Sequence, residues 1–267
     1  MLVHRRITGL VVAWLVAWLN PVQAQIDYRN LDDHRPVRTE DAYPIERYAF
    51  ELIVPYEYDN GRDGEQTHVL APEISYGILQ NMQVGVKLPF AAVSGPGGTD
   101  WGFAGARLLA LYNFNTEAPA FPALSVRADL ALPGGGLAGD DPQITLKAIA
   151  TRSWGRTRAH LNGGFTLGAE AGRSVVDAGP DWMVSLALDH TFLRSSLLAI
   201  AEVDVGRTIP TTPTEVTAGW GVRYQLSPTL VLDVGMSRRL VADAGPDLGL
   251  TLGLSHAFGI AGIFPGK

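Results

Sequence analysis

Charged side chains recur two residues apart in segments that are otherwise apolar. Arg127 and Asp129 form one such pair, and Glu202 and Asp204 form another. Residues at positions i and i+2 of a β-strand project from the same face, so each pair places both of its charges on one side of a strand. Charges gathered on one face can neutralise one another, or they can line a polar passage that selects solutes. These residues are therefore the first candidates for a functional site.

The full candidate set consists of ionisable side chains on the face that also carries glycine, serine and threonine. Its members, predicted to line a lumen, are Glu51, Glu73, Lys87, Arg127, Asp129, Lys147, His160, Asp189, Glu202, Asp204, Arg223 and Asp233. Two roles remain open for them. They are either an electrostatic plug that holds a barrel rigid or the wall of a polar pore, and the two roles are compatible. A barrel of about twelve strands is narrow, so side chains fill much of its interior.

Nucleophilic catalysis would need a serine activated by a histidine that a third group orients. Asp189 and His190 are adjacent in sequence, as are Ser255 and His256, so alternation points the members of each pair to opposite faces. His160 lies on the inward face of its segment, but that segment contains no serine. The sequence therefore predicts no catalytic site, and a membrane lipid hydrolase is the least supported alternative.

Metal, cofactor and nucleic-acid sites are equally poorly supported. The chain contains no cysteine, which excludes thiolate ligands and disulfides, and its formal net charge of −6 provides no chain-wide basic surface for nucleic acid. The densest ligand cluster, Asp32-Asp33-His34, has no diagnostic spacing and is expected to be a solvated tail. The glycines at 134–136 lack the Gly-Lys-Ser/Thr ending of a phosphate loop. We expect no metal and no cofactor.

The first 24 residues have the three parts of a secretory signal peptide. A basic start at His4-Arg5-Arg6 precedes an apolar run from Ile7 to Leu19, and Val22-Gln23-Ala24 supplies a small-residue cleavage site. The apolar run is shorter than the roughly 20 residues that a membrane-spanning helix needs. The mature chain is therefore predicted to leave the cytoplasm. Its N-terminal segment, residues 25–43, is expected in the periplasm, and the sequence does not decide whether that segment forms a plug.

Downstream of Pro44 the dominant hydrophobic period is two, which predicts strands with two unlike faces. The alternation is clearest from Met82 to Phe90, from Val216 to Leu226 and from Leu248 to Leu254. Adjacent leucines blur it near 108–109 and 197–198. The twelve runs fall near 46–57, 67–78, 82–90, 102–113, 122–132, 143–153, 157–168, 182–190, 196–206, 214–226, 229–238 and 248–258. A tilted strand crosses a bilayer in about 9–11 residues, close to the length of these runs.

The connections between the runs form two classes. Odd-numbered connections are long and rich in glycine, proline and aspartate, as at 59–64 and 94–98, whereas most even-numbered ones are tight turns. This asymmetry is typical of outer-membrane barrels, and open strand edges cannot lie in hydrocarbon. We predict an all-β fold over residues 44–267, a closed antiparallel transmembrane β-barrel of about twelve strands of the outer-membrane type. Aromatic residues near the strand ends suggest interfacial girdles, although Trp220 lies in mid-strand.

Several short motifs resemble a known family. Arg35-Pro36-Val37-Arg38-Thr39-Glu40-Asp41-Ala42 precedes a first strand that carries Glu51, and Ser75-Tyr76-Gly77-Ile78 leads to Gly85-Val86-Lys87-Leu88-Pro89. With the closing run at 248–254, these motifs resemble bacterial outer-membrane transporters of the MetA-pathway-of-phenol-degradation type. The resemblance implies an outer-membrane channel or uptake protein for aromatic or other hydrophobic compounds.

The functional expectation is passive passage of a small-molecule solute across the outer membrane of a Gram-negative cell. The main alternative is a non-conducting barrel with a structural or surface-interaction role. Expected partners are outer-membrane lipids, lipopolysaccharide and the barrel-assembly machinery. We expect neither enzymatic activity nor binding of nucleic acid.

Overall fold

A computed structural model describes residues 25–61, 64–168, 180–192, 196–208, 212–241, 244–260 and 263. The predicted signal peptide lies outside the described residues. The strands are β1 (Phe50–Asn60), β2 (Gln66–Leu70), β3 (Glu73–Leu79), β4 (Met82–Lys87), β5 (Phe90–Gly95), β6 (Gly98–Phe103), β7 (Arg107–Asn115), β8 (Ala123–Ala131), β9 (Gln143–Trp154), β10 (Thr157–Leu167), β11 (Trp182–Phe192), β12 (Leu197–Arg207), β13 (Glu215–Ser227), β14 (Leu230–Arg239) and β15 (Leu248–Phe258).

These segments make a closed antiparallel barrel of twelve strands. The segments β2 and β3, β4 and β5, and β6 and β7 are each two halves of one barrel strand, interrupted by two or three residues. The first and last strands close the barrel, in a register that runs from Phe50 opposite Phe258 to Asn60 opposite Leu248. The predicted fold class and strand number are therefore confirmed.

Alternation along each strand separates a lipid-facing side from a lumen-facing side. On β11, Leu186 and Leu188 are each 54 % exposed, whereas Ser185 and Asp189 are buried in the lumen. Among the described residues, none belongs to a helix long and apolar enough to span a membrane. Exposed apolar residues at alternate strand positions, such as Leu186 and Leu188, form an outward-facing band.

The two ends of the barrel differ as the connections predict. Two-residue turns join β3 to β4, β9 to β10 and β13 to β14 at the short-turn end, and longer connections such as 132–142 and 240–247 lie at the other, the long-loop end. The prediction of a long connection at 94–98 is wrong. The structure has a tight hairpin there, in which Gly95 pairs with Gly98, because β5 and β6 continue to that point. Phe50 stacks on Tyr76 and on Phe258, with ring centroids 4.6 and 5.6 Å apart, and forms part of an aromatic row at the short-turn end.

On one side of the wall, three neighbouring barrel strands are interrupted at a common level. Proline interrupts two neighbouring barrel strands, at Pro72 and Pro89, and cannot donate to the ladder there. The third strand is interrupted at residues 104–106, where Gly105 has a φ of +89°, in the left-handed region that glycine adopts most readily. Beyond the interruptions, β2, β5 and β6 pair in that order next to β1 and continue the wall toward the long-loop end; these three segments are hereafter the flap.

Candidate functional site

The residues before the first strand run inside the barrel, and this is the main correction to the sequence-based expectation. The stretch 25–43 was predicted to lie in the periplasm, but residues 26–45, hereafter the plug segment, fill the lumen. The segment enters at the short-turn end, where the amide of Ile26 donates to the carbonyl of Pro228 at 3.0 Å. It returns to the same end, where the amide of Ile45 donates to Gln83 Oε1 at 2.8 Å. The segment therefore makes a loop into the barrel and out again.

Apolar packing is one reason why the segment lies inside. Ile26, Tyr28, Leu31 and Val37 form a buried cluster with inward-facing wall residues. The wall members of that cluster are Ala49, Ala187, Leu198, Ile200, Val231 and Ala257. Apolar side chains on the inner wall would be unfavourable against water, so they need the segment as a partner.

Acidic residues of the segment face a cationic side of the lumen, made by Lys87, Arg127, Lys147 and Arg158 on strands β4, β8, β9 and β10. Glu40 lies 2.8 Å from Arg127 Nη1 and 2.9 Å from Lys147 Nζ. The Asp41 carboxylate lies 3.0 Å from Arg158 Nη1. Buried ions require such partners because desolvation of an unpaired charge is very unfavourable.

Asp33 is the most highly coordinated acid of the segment. Its carboxylate lies 2.5 Å from Lys147 Nζ and 3.7 Å from both Lys87 Nζ and Arg127 Nη2. Burial favours the protonated acid, but Lys147, His34 and Arg127 outweigh it and hold the pKa of Asp33 well below its ordinary value. Asp33 therefore stays charged throughout the physiological pH range.

The opposite, anionic side of the lumen carries Glu202 and Asp204 on β12. Glu202 is a clamp: it accepts the backbone amides of Arg38 and Thr39, each at 2.9 Å, and the Thr39 hydroxyl at 2.7 Å. The Arg38 guanidinium lies 3.0 Å from Asp204 Oδ1. Among the described residues, neither carboxylate forms an ion pair with a cation of the wall itself. The plug segment supplies their neutralising groups.

Arg35 extends this side of the lumen toward the closing strands. The side chain is fully buried, and its Nη2 lies 2.8 Å from Asp233 Oδ2 and donates to Ser255 Oγ at 2.6 Å. The next residue, Pro36, lies directly against the backbone at Gly235, where the Cβ of any other residue would overlap the Pro36 carbonyl. Glycine on the inner wall thus makes room for the segment.

The structure places all twelve sequence candidates on the inner wall, each at most 7 % exposed. Most of them form polar contacts with the plug segment or with one another rather than lining open water. The candidate set omits other inward ionisable groups, such as Arg158, whose inward position follows from the alternation in β10, and Glu57, which lies 3.4 Å from His34 Nδ1. Whether the twelve select a solute stays a prediction.

A hydrogen-bonded chain in the lumen resembles a catalytic triad in its geometry. Thr151 Oγ1 lies 3.0 Å from His160 Nδ1, and His160 Nε2 lies 2.9 Å from Asp189 Oδ2. The Thr151 hydroxyl also accepts the amide of Ala42 at 3.0 Å, and both Thr151 and His160 are completely buried. These three hydrogen-bonded side chains therefore fasten the plug segment to the wall. The buried Thr151 hydroxyl leaves no room for a substrate beside it.

Around the plug segment, the residues that the structure describes enclose two vestibules. At the level of Asp33, Glu40 and Lys87 the void measures about 10 Å³, roughly the space for one water molecule. A lower vestibule of about 450 Å³ lies on the short-turn side. An upper vestibule of about 260 Å³ lies on the long-loop side, between His34 and Arg38 of the segment and the surrounding wall. The plug segment separates the two.

Comparison with solved structures identifies the fold. The chain is similar to the COG4313 outer membrane channel from Pseudomonas putida F1, with a TM-score of 0.62, 15 % identity, and coverage of 82 % of this chain and 98 % of that one. It is also similar to the KdgM porin, solved with oligogalacturonate, at a TM-score of 0.55, 11 % identity, and 78 % and 99 % coverage. It is also similar to the Pseudomonas putida toluene transporter TodX, with a TM-score of 0.50, 11 % identity, and coverage of 88 % of this chain and 100 % of that one.

The chain has the fold of an outer-membrane β-barrel. At these identities the likeness shows the fold and does not extend to the solute. No protein-family model matches the sequence, and no curated protein matches it. The resemblance to the MetA-pathway-of-phenol-degradation type therefore has no support from sequence comparison.

Proposed function

We propose that the protein is a gated outer-membrane channel for small uncharged molecules, with hydrophobic or aromatic compounds as its solutes. The observation that carries the proposal is the upper vestibule, which lies on the long-loop side and ends at the plug segment. A solute that enters there meets buried ion pairs below it, so passage requires the segment to move. We further propose that the chain belongs to the transporter family of the MetA-pathway-of-phenol-degradation type.

The chemistry of the closed lumen supports an uncharged solute. Arg38, Lys147 and Arg207, beside the upper vestibule, are already paired with carboxylates, and Asp59 and Glu215 add acidic groups at its rim. An anion would therefore meet no unpaired positive charge among these groups, while an uncharged molecule would displace no ion pair. Two structurally similar proteins, the COG4313 channel and TodX, are a channel and a toluene transporter by name.

The proposal also covers location and partners. The lipid-facing band is suited to the outer membrane, with lipopolysaccharide at the long-loop end and the barrel-assembly machinery as the insertion partner. The proposed function involves neither a cofactor nor catalysis. A non-conducting structural or surface-interaction barrel is the competing function.

Entry of two reporter molecules into whole cells tests the proposal. The full chain would be expressed in a Gram-negative host that lacks its major porins, with an empty-vector strain as control. We expect entry of the apolar dye N-phenyl-1-naphthylamine to rise several-fold, with periplasmic hydrolysis of the charged β-lactam nitrocefin unchanged. A rise in nitrocefin hydrolysis alone would indicate a polar pore, and no rise in either would favour the non-conducting barrel. Both results would overturn the proposal.

A further inference from the structure

The strand β6 of the flap has a free edge. It pairs with β5 on one side, and among the described strands it pairs with no other, so the order of the sheet ends there. On its other side the wall strand β8 ends at Ala131, opposite Arg107, the first residue of β7. The ladder between β7 and β8 therefore stops short of β6. The six residues Gly98–Phe103 form an open strand edge at the long-loop end.

The alternation of hydrogen bonds shows which backbone groups lie on that edge. Gly95 and Gly98 close a two-residue hairpin and form a hydrogen-bonded pair of the antiparallel ladder. Every second residue of β6 therefore bonds to β5, and the residues between, Thr99, Trp101 and Phe103, direct their amides and carbonyls away from it. The Phe103 carbonyl accordingly accepts an amide from the connection between β8 and β9, at 3.2 Å.

The outward backbone groups of Thr99 and Trp101 have no such partner among the described residues. Both residues are exposed, and the space beside Gly98 is open, since a Cβ added there would meet no atom within 4 Å. The amides and carbonyls of these two residues are thus a short template on which another extended chain can pair. An open edge cannot lie in hydrocarbon, so this edge belongs to the part of the wall above the lipid.

The surroundings of the edge are acidic. Asp100 lies in the middle of β6, and the connection beside the strand carries Asp140 and Asp141, all three of them exposed. The three strands of the flap and the connection 132–142 contain no lysine and no arginine. Trp101, which is 82 % exposed, offers the face of its ring to a cation. The edge therefore favours a basic partner over an acidic one.

The same charge disfavours a second copy of the chain. Two β6 strands that paired through Thr99 and Trp101 would place their Asp100 side chains directly opposite one another, and like charges in that position destabilise a sheet. We propose that the free edge of β6 binds an extended basic polypeptide, which adds to the flap as a further strand. This surface lies outside the lumen, so the proposal is independent of the solute that the channel carries.

Binding of three synthetic peptides tests the proposal. The probe is a fluorescent octapeptide of alternating lysine and valine, and its binding to the purified full-length protein in non-ionic detergent is followed by fluorescence anisotropy. One control peptide has glutamate in place of lysine. The other keeps the lysines but has every backbone amide N-methylated, so it retains the charge and cannot pair as a strand. We expect both controls to bind about tenfold more weakly or worse. Equal binding of either control would overturn the proposal, as would no binding of the probe.

Two variants at one position locate the site. Trp101→Ala and Trp101→Pro both remove the ring, but only proline removes the outward amide, and position 101 does not bond to β5. We expect Trp101→Pro to bind the lysine peptide about tenfold more weakly than Trp101→Ala. Heat-modifiable gel migration confirms that both variants are folded. Equal affinity of the two variants would overturn strand addition at this edge. A dimeric protein mass in analytical ultracentrifugation, abolished by Trp101→Pro and not by Trp101→Ala, would show that a second copy covers the edge and would also overturn the proposal.

Discussion

The cationic and anionic sides of the lumen hold the same segment in different ways. On the cationic side, wall acids already neutralise several wall bases: Asp129 lies 2.8 Å from Arg127, and Asp189 lies 2.6 Å from Arg158. On the anionic side, the described neighbours that neutralise Glu202 and Asp204 belong to the plug segment. One side is therefore internally balanced and redundant, whereas the other depends on the segment.

This difference explains how one segment can fix its own position. Its carboxylates, led by Asp33 and Glu40, find bases on one side, and its backbone amides and arginines find acids on the other. A shift along the lumen would separate these charges from their partners. Two-sided charge complementarity thus specifies the register, while apolar contacts of residues such as Leu31 provide burial.

Deletion of residues 25–45 should have the largest effect. Without the segment the lumen fills with water, and Glu202 and Asp204 lose their neutralising groups. We expect the deletion variant to give large, cation-selective conductance in planar bilayers, where the intact protein gives little. Addition of Glu202→Gln and Asp204→Asn to the deletion should reduce the selectivity for cations. Equal conductance of the intact and deleted proteins would contradict the comparison.

Loss of the Glu202 clamp should have the next largest effect. Glu202→Ala leaves two backbone amides and one hydroxyl of the segment without their acceptor, and unpairing buried groups of this kind destabilises by about 3 kcal/mol or more. Release of the segment can be followed as maleimide labelling of a Val37→Cys reporter, a position that is 4 % exposed in the closed state. Labelling should accelerate on the order of 100-fold, since about 1.4 kcal/mol corresponds to a factor of ten.

A matched control for this variant is Asp181→Ala. Asp181 pairs with Arg207 at 2.5 Å, away from the plug segment. Its loss should leave labelling of the Val37→Cys reporter within about twofold, as is usual for partly exposed ion pairs. Equal acceleration by both variants would show that Glu202 is not a specific clamp.

Lys147→Met should act in the same direction but less strongly, because the cationic side is redundant. Lys87 and Arg127 remain near Asp33, and Arg127 remains 2.8 Å from Glu40. We expect labelling of the Val37→Cys reporter to accelerate about tenfold. An effect larger than that of Glu202→Ala would reverse the comparison between the two sides.

The smallest effect should come from His34. Burial lowers the pKa of His34, but Asp33 and Glu57 outweigh it, so the net pKa is raised. A raised pKa stabilises the closed state below the ordinary value of about 6.5, and this stabilisation is lost as pH rises through the raised value. Labelling of the Val37→Cys reporter, divided by the labelling rate of a free thiol at the same pH because maleimides react with the thiolate, should therefore accelerate modestly from pH 6 to pH 9. His34→Gln should flatten that dependence, and an unchanged pH profile in His34→Gln would exclude His34 as its source.

The barrel was predictable because its signal repeats in every strand. Alternation identifies Arg127, Asp129 and Glu202 as inward residues, and the connection lengths identify the two ends. The position of residues 25–45 was not predictable in this way, since an irregular segment has no period. In the sequence alone, its charged side chains could equally be hydrated by water or be paired with charged side chains of the barrel wall.

One signal for the plug was present in the two places where alternation is blurred. Adjacent leucines blur the alternation there, and the structure shows Leu109 and Leu198 facing inward, at 3 % and 0 % exposure, while Leu108 and Leu197 face lipid. Leu198 is covered by apolar residues of the plug segment. Apolar residues on a lumen-facing position therefore indicate that something fills the lumen.

Cross-linking inside the membrane tests the central claim most directly. Ala42 of the plug segment lies against Thr151 of β9, with its amide 3.0 Å from the Thr151 hydroxyl. Cells that carry Ala42→Cys with Thr151→Cys would be oxidised mildly and compared with Ala42→Cys paired with Leu161→Cys, which faces lipid and is 51 % exposed. We predict an intramolecular disulfide in the first variant and none in the second. The absence of a disulfide from the folded, membrane-inserted Ala42/Thr151 variant would contradict a plug segment that occupies the lumen.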